Sequence, residues 1–195
     1  MKTLLVTGFE PFGGEEINPS WQAVSMLPCE IGEYKLFKLL LPVVFGEAAA
    51  IAIKTAMETS ADAILCVGQA GGRSAVTPEF LGINVRYAKI PDNKGNVPKD
   101  EPIIPGGPAA RFVTLPARKM TEAIITEGIA AEVSYSAGTY VCNDLIYTLL
   151  SHFEESETRV GFIHIPYSDE QKKSPSMNIN DIIRGLVTAI KSLDL

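Results

Sequence analysis

Short apolar runs alternate along the chain with longer stretches of helical period. Residues 3–8 (TLLVTG), 61–68 (ADAILCVG) and 159–166 (RVGFIHIP) are near-continuous apolar runs that stop at Gly or Pro, and they read as buried strands. Residues 33–43 (EYKLFKLLLPV), 82–90 (GINVRYAKI) and 131–136 (AEVSYS) read as further strands. Between them, good helix formers predict helices over 46–60, over 116–128 with Gly128 as the stop, and over 142–156. A shorter helix begins near Pro19 or Ser20, with Asn18 as its cap. The clearest helix is the last, where Ile179, Ile182, Ile183, Leu186, Val187 and Ile190 share one face at i, i+3, i+4, i+7, i+8 and i+11. Such alternation predicts an α/β fold with helices on both faces of a mainly parallel sheet. Residues 88–110 break the pattern, with five prolines and little periodicity. A loop of this length is a lid, a binding loop or a subunit arm.

Length and composition narrow the class. The 195 residues suit one domain, 1–195, and a core large enough to fold without a disulfide or metal staple. Seventeen basic against 23 acidic residues give a net charge of −6 with no basic stripe, which argues against a nucleic-acid partner. No apolar run approaches the ~20 residues of a membrane span, and the N-terminus lacks a signal-like core. Three widely spaced cysteines fit neither a disulfide framework nor a zinc site, so a cytoplasmic protein with free thiols is expected.

Two glycine-rich loops follow strands. GFEPFGG (8–14) sits where phosphate loops sit but lacks the Lys and Ser/Thr of a P-loop and the spacing of a dinucleotide fingerprint. Glu10, Glu15 and Glu16 would repel phosphate. The loop instead offers Phe9 and Phe12, either as core caps or as apolar walls for a small flat ligand. GQAGGR (68–73) ends the second apolar run, and places Gln69 at the carboxyl edge of the sheet, where open α/β folds bind ligands.

Only two histidines are present. His152 falls late in a helix among acidic residues and reads as solvated. His164 closes the apolar strand before Pro166, a position suited to a catalytic base. Among the cysteines, Cys66 reads as a buried inert thiol and Cys29 as a turn residue. Cys142 opens a helix after the small-residue run SYSAGTY, where a helix N-terminus favours a thiolate and supplies N–H groups for an oxyanion. Cys142 and His164 therefore form the candidate nucleophile and base, and a carboxylate should orient the imidazole. Glu79, Asp144, Asp169 and Glu170 are the candidates, and spacing does not choose among them.

With these residues in view, the chain resembles the pyroglutamyl peptidase I family of cysteine peptidases over its full length. The resemblance rests on GFEPFGG with NPS (18–20), VGQAGGR followed by TPE and Asn84, IPDN (90–93), VSYSAGTYVCN (133–143) and HIPY (164–167). It implies a three-layer α/β/α sandwich with a twisted, mainly parallel sheet, and removal of an N-terminal pyroglutamyl residue from peptides. It further implies a homotetramer and no metal or organic cofactor. By the same resemblance, Cys142 is the nucleophile, His164 the general base and acid, and Glu79 the orienting carboxylate.

The expected substrate group is a neutral lactam with one N–H and one C=O. Its pocket needs apolar faces and matched polar groups, since a buried unpaired polar atom is costly. Phe9 and Phe12 are the expected walls, Asn18 and Gln69 the polar candidates, with backbone near Val141; Lys89 is a candidate aid to the oxyanion. Three positions depart from the family pattern. Phe80 stands where a basic residue follows the glutamate, Gly82 where the family has Ala, and Lys89 where Arg precedes IPDN. Two rival readings are a phosphorylase-like transferase on a similar fold and a pyroglutamyl-peptide-binding protein with weakened catalysis. The failed phosphate fingerprints weigh against the first, and the presence of Glu79, Cys142 and His164 against the second.

Overall fold

A computed structural model of the protein describes residues 1–194. The chain runs through strand β1 (Lys2–Phe9), helix α1 (Pro19–Met26), strands β2 (Glu30–Ile31) and β3 (Tyr34–Leu41), helix α2 (Glu47–Glu58) and strand β4 (Ala63–Gln69). It continues with short strands β5 (Thr77–Pro78), β6 (Leu81–Ile83) and β7 (Ala110–Phe112), then helices α3 (Ala117–Thr126) and α4 (Val141–His152). Strands β8 (Arg159–Ile165), β9 (Tyr167–Ser168) and β10 (Ser176–Met177) and helix α5 (Ile179–Lys191) complete it.

The apolar runs form the middle of one sheet of order β2-β3-β1-β4-β8-β5. Pairs β3–β1, β1–β4 and β4–β8 are parallel, and β2 and β5 add antiparallel edges. Successive side chains of a strand point to opposite faces. Leu4, Val6, Leu65, Val67, Ile163 and Ile165 accordingly meet α1, α3 and α5 on one face. Leu5, Ile64, Cys66 and Phe162 meet α2 and α4 on the other. The result is the expected three-layer sandwich. Ile182, Leu186 and Ile190 of α5 are fully buried, and Ile179, Ile183 and Val187 pack at the margin of the same face. Asn18 caps α1, its Oδ1 accepting from the Ser20 N–H at 3.0 Å.

Two strand expectations need correction. Over 82–90 only the first positions are strand, because the side chain of Asn143 takes the hydrogen bonds a neighbouring strand would have taken. Its Oδ1 accepts from Ile83 N–H at 2.9 Å, and its Nδ2 donates to the carbonyls of Ile83 (2.8 Å) and Val85 (3.0 Å). Residues 131–136 make isolated bridges, Ala131 to Val76 and Ser134 to Glu79. Their partner β5 contains Pro78, which has no N–H to extend a ladder. The long loop holds itself by side-chain hydrogen bonds instead. Asp92 accepts from the N–H groups of Phe45, Lys94 and Asn96, and Asn84 bonds Ile104 and Gly107.

Candidate active site

At the carboxyl ends of β4 and β8, Gly68 and His164 are in-register partners, and β5 brings Thr77 alongside His164. In-register neighbours share a face of the sheet, here the face covered by α4. Cys142 is the second residue of that helix, so its N–H lies among those with no intrahelical acceptor. Its Sγ reaches the sheet at Gly68: a Cβ there would sit 2.9 Å from Sγ and 2.8 Å from Phe162 Cζ. Only glycine allows this approach.

Glu79 follows β5, fully buried, and its Oε1 lies 2.7 Å from His164 Nδ1. Arg73 Nη1 reaches the same oxygen at 2.8 Å. Burial alone would raise the Glu79 pKa, but hydrogen bonds from His164, Ser134 and Arg73 and the charge of His164 outweigh it, and the carboxyl is held below its usual range. An ionised Glu79 accepts a hydrogen bond from Nδ1–H, so the neutral ring presents Nε2 as an acceptor. Burial pulls the His164 pKa below the ordinary imidazole value, with Glu79 opposing. Burial also pushes the Cys142 thiol up, reinforced by Glu79 and Cys66, against a smaller opposing effect of Arg73. At this helix N-terminus the pull towards thiolate is therefore opposed by burial. Both shifts favour the neutral thiol and neutral imidazole over the ion pair.

Cys142 and His164 open onto one cavity of about 490 Å³. Of the residues expected to bind substrate, Phe9, Phe12, Asn18, Gln69 and Val141 all line it. Asn18 and Gln69 are already engaged. Asn18 Nδ2 donates to Glu10 O at 3.0 Å, and Gln69 Oε1 accepts from Gln171 Nε2 at 2.9 Å. Lys89 is a correction: it is exposed and outside the cavity lining, because Ala88 is the residue its loop turns inward.

The other acidic candidates are occupied elsewhere. Asp144 is buried against Arg86 Nε at 2.5 Å and the Gly46 N–H at 2.7 Å. Asp169 accepts from Ser176 Oγ and Glu170 from Gln22 Nε2. His152 is exposed beside Phe153, Cys29 is exposed, and burial drives the Cys66 thiol up to about 12. Phe80 turns away from the cavity, stacking near Phe112 and Tyr135 under Arg118. Gly82 backs onto α4, where a Cβ would lie 3.0 Å from Ile146 Cγ2.

Arg73 and Tyr140 are among the cavity side chains not singled out from sequence. Arg73 carried a signal, a basic residue in a loop at the carboxyl edge of the sheet. Tyr140 carried little. Its ring meets Phe45 edge-on at 5.3 Å and Phe12 at 6.1 Å, and its hydroxyl donates to Pro91 O at 2.9 Å. A thiol at a helix N-terminus, an imidazole oriented by a carboxylate and an aromatic-walled cavity together suit acyl transfer.

Known proteins carry the same arrangement of chain. A family model described as pyroglutamyl peptidase matches residues 2–194. A pyrrolidone-carboxylate peptidase of Escherichia fergusonii is 50% identical, the alignment taking in 97% of this chain and 92% of the relative. One from Thermococcus kodakarensis is 48% identical over 96% and 94% of the two chains. The crystal structure of Bacillus amyloliquefaciens pyroglutamyl peptidase I superposes with a TM-score of 0.94 at 45% identity, covering 98% of this chain and 96% of that one. Sequence and fold thus agree from end to end, and the chain belongs to the pyroglutamyl peptidase family.

Proposed function

We propose that the protein is a cysteine-type exopeptidase that hydrolyses the bond after an N-terminal pyroglutamyl residue. The observation that carries this is the Glu79 Oε1–His164 Nδ1 contact of 2.7 Å at a cavity that also holds Cys142. His164 Nε2 takes the Cys142 proton as sulfur attacks the carbonyl linking pyroglutamate to the next residue. The oxyanion is held by N–H groups at the start of α4. The imidazolium then gives its proton to the leaving amine as the C–N bond breaks, leaving a thioester. Water, deprotonated by His164, attacks the thioester; the C–S bond breaks and the thiol regains its proton.

Phe9 and Phe12 flank the lactam, while Asn18, Gln69 and the backbone near Val141 supply polar contacts. A site built to pair the lactam C=O and N–H rejects a prolyl group, which lacks that carbonyl and carries a charged amine. The protein acts in the cytoplasm as one peptidase domain per chain, assembled as a homotetramer; its free cysteines suit that compartment. Sedimentation at micromolar concentration checks the assembly, a single-chain mass counting against it.

The deciding assay is release of a fluorescent amine from a pyroglutamyl amide, with the prolyl amide as control, before and after prolonged iodoacetamide. Selective, thiol-sensitive release is expected. No release from folded, reduced protein would overturn the reading.

A further inference from the structure

Among the described residues lining the cavity, Arg73 alone carries a permanent charge. Its guanidinium is a three-way tie. Nη1 donates to Glu79 Oε1 at 2.8 Å and to Thr77 Oγ1 at 2.5 Å, and Nη2 donates to Ser136 O at 2.9 Å. The acceptors belong to β5, to the acid that follows it, and to the segment that leads into α4 and Cys142. The side chain keeps about a quarter of its surface exposed (27%), so the fork sits at the boundary between site and solvent.

Glu79 Oε1 is shared by Arg73 and His164 Nδ1. The carboxylate cannot rotate without breaking one contact, and its angle sets the plane of the imidazole. The direction of Nε2 thus depends on the guanidinium at one remove. A planar fork can hold the carboxylate and a backbone carbonyl together, whereas the single ammonium of lysine on a flexible stem cannot do so with the same geometry.

We propose that Arg73 is a positioning residue for the reaction: it holds Glu79 at the angle that orients His164 and, through Ser136, locks that pair to the segment delivering Cys142. This rests on the reading of Cys142, His164 and Glu79 as the reacting set. The charged and titratable groups facing the imidazole are Glu79 after β5, Arg73 from the glycine turn and Cys142 from α4. Arg73 opposes a second positive charge on the ring and eases ionisation of the thiol.

The test compares Arg73→Met and Arg73→Lys with the unaltered chain, each checked for fold by circular dichroism. Two readouts are taken: kcat and KM across pH for a pyroglutamyl amide, and the rate of Cys142 alkylation by iodoacetamide at fixed pH. Arg73→Met should lower kcat about 10- to 100-fold with KM changed less than about threefold. The acid limb of its kcat/KM profile should move to higher pH, because losing the cation raises the His164 pKa. Alkylation should slow. Arg73→Lys should restore the acid limb while recovering only part of kcat, and it carries the test alone if the Met variant does not fold.

A raised KM at unchanged kcat would overturn the proposal in favour of direct substrate contact. Equal losses in both variants with an unmoved acid limb would reduce Arg73 to a structural tie. If the unaltered chain hydrolyses no pyroglutamyl amide, the functional reading fails, and the alkylation rates still decide on Arg73: equal rates in the unaltered and Met chains would overturn it.

Discussion

Gly68 and Cys142 fix each other's place. The sulfur occupies space that any side chain at 68 would claim, with a would-be Cβ 2.9 Å away. Gly68→Ala should displace Sγ by a fraction of an ångström to an ångström and cost up to ~100-fold in kcat with little change in KM, read by steady-state kinetics. Cys142→Ala removes the thioester route and should abolish turnover with the fold intact. Glu79→Gln should cost less, about 100-fold, because an amide oxygen can still accept from Nδ1. The pH profile follows from His164, which must be neutral to take the thiol proton. Burial lowers its pKa, so activity should rise with pH along an acid limb lying below the ordinary ~6.5. An acid limb above that value would contradict the buried, neutral ring. Chemistry alone singled out Cys142 and His164 in the sequence, one at a helix start and one at a strand end, and the fold brings both onto one cavity. The choice of Glu79 needed either the family motifs or the fold, since a carboxylate 85 residues from its histidine has no local signature.

Helix α4 carries the site because its first turn is bolted down on three sides. Cys142 meets the sheet, Asn143 binds the backbone of 83–85, and Asp144 holds Arg86 and the start of α2. Arg86→Met would leave the Asp144 carboxylate buried with the Gly46 N–H as its remaining contact. Breaking such a pair costs about 3 kcal/mol, measurable as a lower urea midpoint at unchanged m. An unchanged midpoint would mean that water replaces the guanidinium at no cost. The same side chains explain which elements were legible. Continuous apolar runs gave β1, β4 and β8, and period 3.6 gave α5, because those segments answer to burial. Residues 84–90 answer to Asn143 and Asp144 from another element, so their apolar alternation was misleading. Residues 131–136 lost strand character to Pro78 in their partner.

Over the whole molecule the buried titrating groups set a window of stability. Glu79, Asp92 and His164 have pKa values lowered by folding. Below its ordinary pKa each binds a proton more readily unfolded than folded, so stability falls as pH drops. Cys142 and Cys66 are raised, so the unfolded chain loses their protons first and stability falls as pH climbs past ~8.5. The urea midpoint should therefore peak between about pH 6.5 and 8.5 and decline on both sides. A midpoint still rising at pH 9.5 would show that folding does not raise the pKa of the two thiols. The layered architecture was readable from alternation alone. The cavity was not, because its walls come from residues as distant as Phe9, Tyr140 and His164, which only the closed sheet brings together.

The raised pKa of the Cys142 thiol beside Gly68 bears on the protein's working life. Peroxide attacks thiolate, not thiol, and a raised Cys142 pKa keeps the thiolate fraction small. The resting enzyme should thus survive oxidant exposure that would convert an exposed, acidic cysteine to its sulfenic acid, and spend its reactivity only on occupied turnovers.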